Sequence, residues 1–178
     1  TYFLVILSFL IAECSVLAVF YTASPFLIQD VLGFTSARYG HVMLLLGVSY
    51  FVGSLINRLC LQWFSANALI GVGLIASLLI SLVMLFLASL DLNPLVLVVP
   101  MIFLFIADGL VFSNAMSACF NYFTKLSNVA SSLMGGFLSL GGALVALLVG
   151  CMSVTSMWPL AIAYTVIFCI VLPLYFFV

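Results

Sequence analysis

The chain has 178 residues, 68% of them hydrophobic and 4% charged, with a formal net charge of −1 and a mean hydropathy of +1.53. No single soluble core of this length can hide so much apolar surface, which excludes an ordinary globular fold. With three Lys and Arg in all, no nucleic-acid partner is expected, and the composition is that of a chain whose solvent is the lipid bilayer.

A crossing of the roughly 30 Å hydrocarbon layer needs about 20 apolar residues at about 1.5 Å rise each. Six stretches satisfy this, at residues 2–24, 36–57, 67–90, 94–122, 128–153 and 158–177. Barrel strands are the weaker reading, because no segment of about 10 residues alternates apolar and polar side chains. The predicted fold class is therefore an all-α membrane protein of six transmembrane helices. The chain opens at Thr1 almost inside the first helix, without Met or a polar leader, which predicts a segment of a longer protein.

The first helix carries Glu13 near mid-membrane. A carboxyl group at that depth costs several kcal/mol if charged and unpaired, so it is expected to face a cavity, meet a partner or stay protonated. On a helical wheel Phe9, Phe20, Tyr21 and Ser24 share its side, joining aromatic area to two hydroxyls in the manner of a drug-sized pocket, although the same aromatics suit plain packing. The first separator contains Pro25, Asp30 and Gly33. The second helix holds a short stripe of small residues, Ser49, Gly53 and Asn57, and ends at Arg58.

The third helix runs to Asp91-Leu92-Asn93-Pro94, where Pro94 suits the start of the fourth because its missing N–H would have no helical partner there. The fourth helix carries the second mid-membrane acid, Asp108, on one face with Phe105, Phe112 and Ala115. Asn114, Ser117 and Asn121 form another face, read mainly as packing through amide hydrogen bonds and secondarily as a ligand contact from Asn114. Lys125 and Asn128 separate it from the fifth helix.

From Leu126 to Val178 no side chain is formally charged. The fifth helix has two stripes of small residues, Ser131, Gly135, Ser139 and Ala143, then Gly142, Ala146 and Gly150. Such stripes let backbones approach closely in lipid, either within the bundle or against another six-helix unit. Counting Arg58 and Lys125 against Arg38 puts both termini in the cytoplasm by the positive-inside rule. Cys14, Cys60, Cys119, Cys151 and Cys169 have no ligand or disulfide spacing and read as small hydrophobes, so neither metal nor cofactor is expected.

The six helices divide into two triplets with a mid-membrane acid in the first helix of each. An inverted three-plus-three repeat places residues in that way about its pseudo-two-fold axis, which points to a transporter half.

Several segments resemble a known family. Tyr21, Ser24-Pro25-Phe26, Gln29, Gly33, Ser36 and Tyr39-Gly40 are similar to the junction of the seventh and eighth helices in major facilitator drug/proton antiporters of the Bcr/CflA type. Gly109 to Asn114-Ala115, with Ala130-Ser131-Ser132-Leu133-Met134-Gly135, is similar to that group's tenth-to-eleventh helix region. Ser113 stands where a Pro is expected, Gln62 where a basic residue is common, and neither Glu13 nor Asp108 maps onto a family motif. The resemblance implies the C-terminal half of a twelve-helix transporter that exports small amphiphilic compounds in exchange for protons, in a bacterial inner membrane, with the N-terminal six-helix half as its partner.

The resulting expectations are Glu13 and Asp108 for proton or cation coupling, and Phe20, Tyr21, Ser24 and Asn114 for substrate. Ser49, Gly53, Gly135, Ser139, Gly142 and Ala146 are expected at the interface between halves. An enzyme is not expected: the single His41 lies near a helix end with no Gly-x-Ser-Gly setting, and Asp108-Gly109 has no second Asp motif. The competing reading is a non-transporting scaffold or assembly subunit, or a degenerate half-transporter.

Overall fold

The computed structural model describes residues 2–90, 93–122, 127–151 and 156–176, and these form six α-helices with no strand among them. The helices are α1 (Tyr2–Pro25), α2 (Ser36–Cys60), α3 (Ala66–Leu87), α4 (Pro94–Tyr122), α5 (Ser127–Gly150) and α6 (Trp158–Tyr175). Five are long and apolar enough to cross a membrane, and α5 adds an apolar run over Met134–Gly150, as an integral membrane protein requires. Lys125, one of the charges used to orient the chain, and Asp91 lie outside the described residues.

The helix starts follow local chemistry. The Thr35 hydroxyl accepts from the Arg38 N–H at 3.4 Å, Ser65 from the Ala68 N–H at 3.3 Å, and the Asn93 side-chain oxygen from the Val96 N–H at 3.0 Å. Each satisfies a donor left over in a first turn, and Pro94 follows Asn93 where no donor is needed. α3 stops three residues before the expected Leu90, because the N–H groups of Ser89 and Leu90 fold back onto Phe86 and Leu87 in a tighter turn.

The first separator differs most from expectation. Pro25 does not end the helix; the chain continues through it as a π-helical segment, Phe26–Val31, so Asp30 belongs to a helical turn rather than a loop. The wide turn lies on the C-terminal side of the proline, where the Leu32 N–H reaches back five residues to the Leu27 carbonyl at 3.0 Å, so the chain keeps its helical hydrogen bonding past Pro25. Termination falls to Gly33, whose φ of 68° lies in the left-handed region open to glycine. Ser24, within the expected pocket face, is closed off by a 3.1 Å hydrogen bond between its hydroxyl and that of Tyr39 at the start of α2.

Packing has a regular pattern. α1 and α4 lie side by side at the centre; α1 also packs on α5 and α6, α4 also on α2 and α3, and α3 meets α6. Burial follows: 61% of the most apolar window of α1 is inside the bundle and 50% of that of α4, against 22% for α2. The outward surface is apolar, with Leu44, Val48, Phe51 and Leu55 exposed on α2 and Val72, Leu79, Leu82 and Phe86 on α3.

The closest helix approach is that of α2 and α4. A methyl group added at Gly53 would run into the Ile106 carbonyl, and one added at Gly109 would lie 2.7 Å from the Tyr50 carbonyl oxygen. Both obstacles are backbone, so neither can swing aside. Gly135, by contrast, has open space around it. Gly53→Ala is expected to destabilise the purified chain in detergent by about 1–3 kcal/mol through overpacking. Gly135→Ala should leave stability unchanged or slightly raised, because alanine is the better helix former. Thermal unfolding of the two variants side by side checks both.

Candidate functional site

The two mid-membrane acids come together. Glu13 on α1 and Asp108 on α4 are each 1% exposed, and their carboxyl groups lie within electrostatic reach of one another across the central helix pair. No protein donor reaches any of the four carboxyl oxygens. Two ionised carboxylates side by side in such a setting would repel while lacking any hydrogen bond; a proton on either turns the juxtaposition into a carboxyl–carboxylate hydrogen bond. The arrangement is thus suited to holding a proton.

Two tyrosines stand around this pair. Tyr164 of α6 is wholly buried, its hydroxyl without a partner and within the electrostatic reach of Asp108. Tyr50 of α2 is half-buried and within reach of both acids. Neither tyrosine is distinguishable in a sequence with 15% aromatic residues, since tyrosines on a helix facing other helices are ordinarily packing. The signal that could have found them is the depth they share with the acids.

Beside the acids, α1, α2 and α4 enclose a groove of about 470 Å³. Leu17, Tyr21, Met43, Tyr50, Phe105 and Phe112 are in its wall. The wall is aromatic and aliphatic with a few hydroxyls and no formal charge, the make-up of a site for a small amphiphile. A second hollow of about 250 Å³ lies between α1 and α5 and shares Leu17 and Tyr21 with the first.

The expected substrate residues separate. Tyr21 is 57% exposed and lines both hollows, whereas Phe20 and Ser24 are buried in the bundle. At 100° per residue Tyr21 sits about 80° round the helix from Glu13, and Phe20 and Ser24 only about 20°, so the face of Glu13 turns inward and Tyr21 stands on its shoulder. Phe20 still supports the groove from behind, its ring 5.6 Å from that of Phe105 in an edge arrangement.

Asn114 is turned toward α2. Its amide donates to the Asn57 side-chain oxygen at 2.6 Å and to the Leu110 carbonyl at 2.9 Å, and Asn57 donates in return at 3.4 Å. Both side chains are buried, so this reciprocal amide pair fixes α2 against α4. Ser117 is exposed, and the side chain of Asn121 lies outside the described residues.

The small residues also divide. Ser49 and Gly53 are buried, Gly53 against α4, and Gly142 packs on Cys14 and Ala18 of α1. Ala146 is half-buried, while Gly135 and Ser139 face outward.

Comparison with known protein families, curated proteins and solved structures gives no significant match in any of the three.

The amide pair generates a double-mutant test. Asn114→Leu should cost about 1–2 kcal/mol, because it strands the Asn57 amide in an apolar contact. The double variant Asn57→Leu/Asn114→Leu should recover part of that loss, since removing both partners leaves nothing unsatisfied. Unfolding midpoints of the four chains give the coupling directly.

Proposed function

We propose that this chain is the C-terminal half of a proton-coupled secondary transporter of major facilitator type, exporting small amphiphilic compounds by alternating access. The observation that carries the reading is the meeting of Glu13 and Asp108 on the two central helices beside an apolar, aromatic groove. Ionisable groups inside a membrane are expensive and mark ion or proton pathways when they face protein rather than lipid.

The packing supports the inverted three-plus-three architecture. Exchanging α1 with α4, α2 with α5 and α3 with α6 converts the α1–α5 contact into α4–α2 and the α3–α4 contact into α6–α1, while α1–α4 and α3–α6 map onto themselves. Under that exchange the acids are counterparts that meet at the pseudo-axis, where such transporters hold their substrates and coupling ions. Gly53 against Ile106 and Gly142 against Cys14 each place a small residue beside the acid-bearing turn of the central helix it packs on.

In the mechanism that follows, the pair is deprotonated on one side of the membrane and reprotonated on the other. Its charge state biases α1 against α4 and so the opening of the groove that both helices line. The substrate contacts are Tyr21, Tyr50, Phe105 and Phe112, with Phe20 as support. The second six-helix unit closes the cavity, both termini are cytoplasmic, and the membrane is the bacterial inner membrane.

In proteoliposomes of the complete protein, Glu13→Gln and Asp108→Asn are each expected to lower efflux of the lipophilic cation tetraphenylphosphonium, driven by a pH gradient, at least tenfold with insertion unchanged. Wild-type efflux in both variants would remove the pair from the mechanism and the transporter reading with it.

A further inference from the structure

The acid pair and the groove are neighbours that do not touch. Glu13 and Asp108 are both sealed inside the bundle, and neither contributes to the groove wall. A proton that enters or leaves the pair must therefore cross a layer of side chains. Helices α3 and α5 carry no Asp, Glu, His, Lys, Arg, Cys or Tyr that could help. The titratable groups around the acids are Cys14 next to Glu13, Tyr164 from α6 and Tyr50 from α2.

These three differ in access. Tyr164 is fully enclosed, with an unpartnered hydroxyl, and borders neither hollow. Cys14 borders the smaller hollow on the α5 side, and a thiol is a weak donor and acceptor. Tyr50 alone of the three both lines the groove between α1, α2 and α4 and lies within electrostatic reach of both carboxyl groups. Its hydroxyl donates and accepts, as a relay must. The backbone around it is fixed, because the Tyr50 carbonyl is where a side chain at Gly109 would collide, and its ring is held edge-on to Phe112 at 6.5 Å.

We propose that Tyr50 is the proton relay between the groove and the buried Glu13–Asp108 pair. Its phenol O–H passes a proton inward to a carboxylate oxygen through an intervening water, while its oxygen takes one from water in the groove. One proton moves, the phenol is restored and no electron is transferred. Because the same ring forms part of the groove wall, an amphiphile seated there covers the relay, and substrate occupancy and proton exchange hinder each other at a single residue. The proposal rests on the transporter reading for its use, though not for its test.

The test follows carboxyl protonation by time-resolved infrared difference spectroscopy after a pH jump, on the full chain in liposomes. The bands are assigned by their loss in Glu13→Gln and Asp108→Asn. Tyr50→Phe should slow proton exchange at least tenfold with the final amplitude unchanged, and Tyr164→Phe should leave the rate as it is. Gly47 is on the same wall and an added β-carbon there meets nothing within 4 Å, so Gly47→Phe is expected to occupy the groove beside Tyr50 and should slow exchange similarly. That variant keeps the test decisive should Tyr50→Phe fold poorly. Exchange at the wild-type rate in Gly47→Phe and in folded Tyr50→Phe overturns the relay and leaves the transporter reading standing. Intact efflux in the acid variants would do the reverse, since the infrared signal reports protons whether or not anything is transported.

Discussion

Inside lipid a helix satisfies its own backbone, so the groups that decide how helices are arranged are the side chains that cannot be left facing hydrocarbon. Here those are two carboxyl groups, Glu13 and Asp108. Each forces its helix to turn a face toward protein, and their meeting puts α1 against α4 at the centre of the bundle. The burial gradient follows from that constraint: the acid-bearing helices are the most enclosed, and α2, with only an amide and small residues to hide, is the least. An apolar core alone would not impose this order, since in a membrane leucine gains little by facing leucine rather than lipid.

Small residues then set how tightly the outer helices clasp the central pair. Gly53 and Gly109 let α2 and α4 come together until backbone meets backbone, while α5 rests less tightly on α1, where a methyl group at Gly142 would stand 3.4 Å from the Ala18 side chain and the Cys14 carbonyl. The α2–α4 clasp is fixed in register by the Asn57–Asn114 pair. Four turns of helix beyond its N-terminus, the same clasp brings Tyr50 to the edge of both the groove and the acid site. Close packing and the placing of a candidate proton path are thus one geometric fact.

Much of this was legible in the sequence, for physical reasons that differ by element. All six expected starts agree with the structure to within one residue, those of α1, α2, α4 and α6 coinciding at 2, 36, 94 and 158, because caps and turn formers are local. The two acids stood out because charge is so rare. Pro25 misled, since a proline can sit inside a helix that continues past it, here as a π segment, and its local chemistry does not say which. Tyr21 was grouped with Glu13 although it lies on the shoulder of that face, and the wheel angle separates them. The partnership of Asn57 with Asn114 and the positions of Tyr50 and Tyr164 depend on long-range packing, to which periodicity within one helix is blind.

The outward faces of α2 and α5 carry the last step. Both show continuous apolar stripes, Leu44, Val48, Phe51 and Leu55 on one and Phe137, Leu140, Leu144 and Leu148 on the other. Such stripes are equally content against lipid tails or a second protein, so they do not choose between them. Close approach of another helix is favoured instead where small residues remain outward, and these flank Tyr21 on its two sides: Gly47 of α2 in the larger hollow, Ser139 and Ala143 of α5 in the smaller. A second helical unit docked along those lines would roof the groove over Tyr21 and Tyr50, converting an open hollow into an enclosed cavity beside the sealed carboxyl pair. The small residues turned inward hold the bundle together, while those left outward border the two hollows on either side of Tyr21.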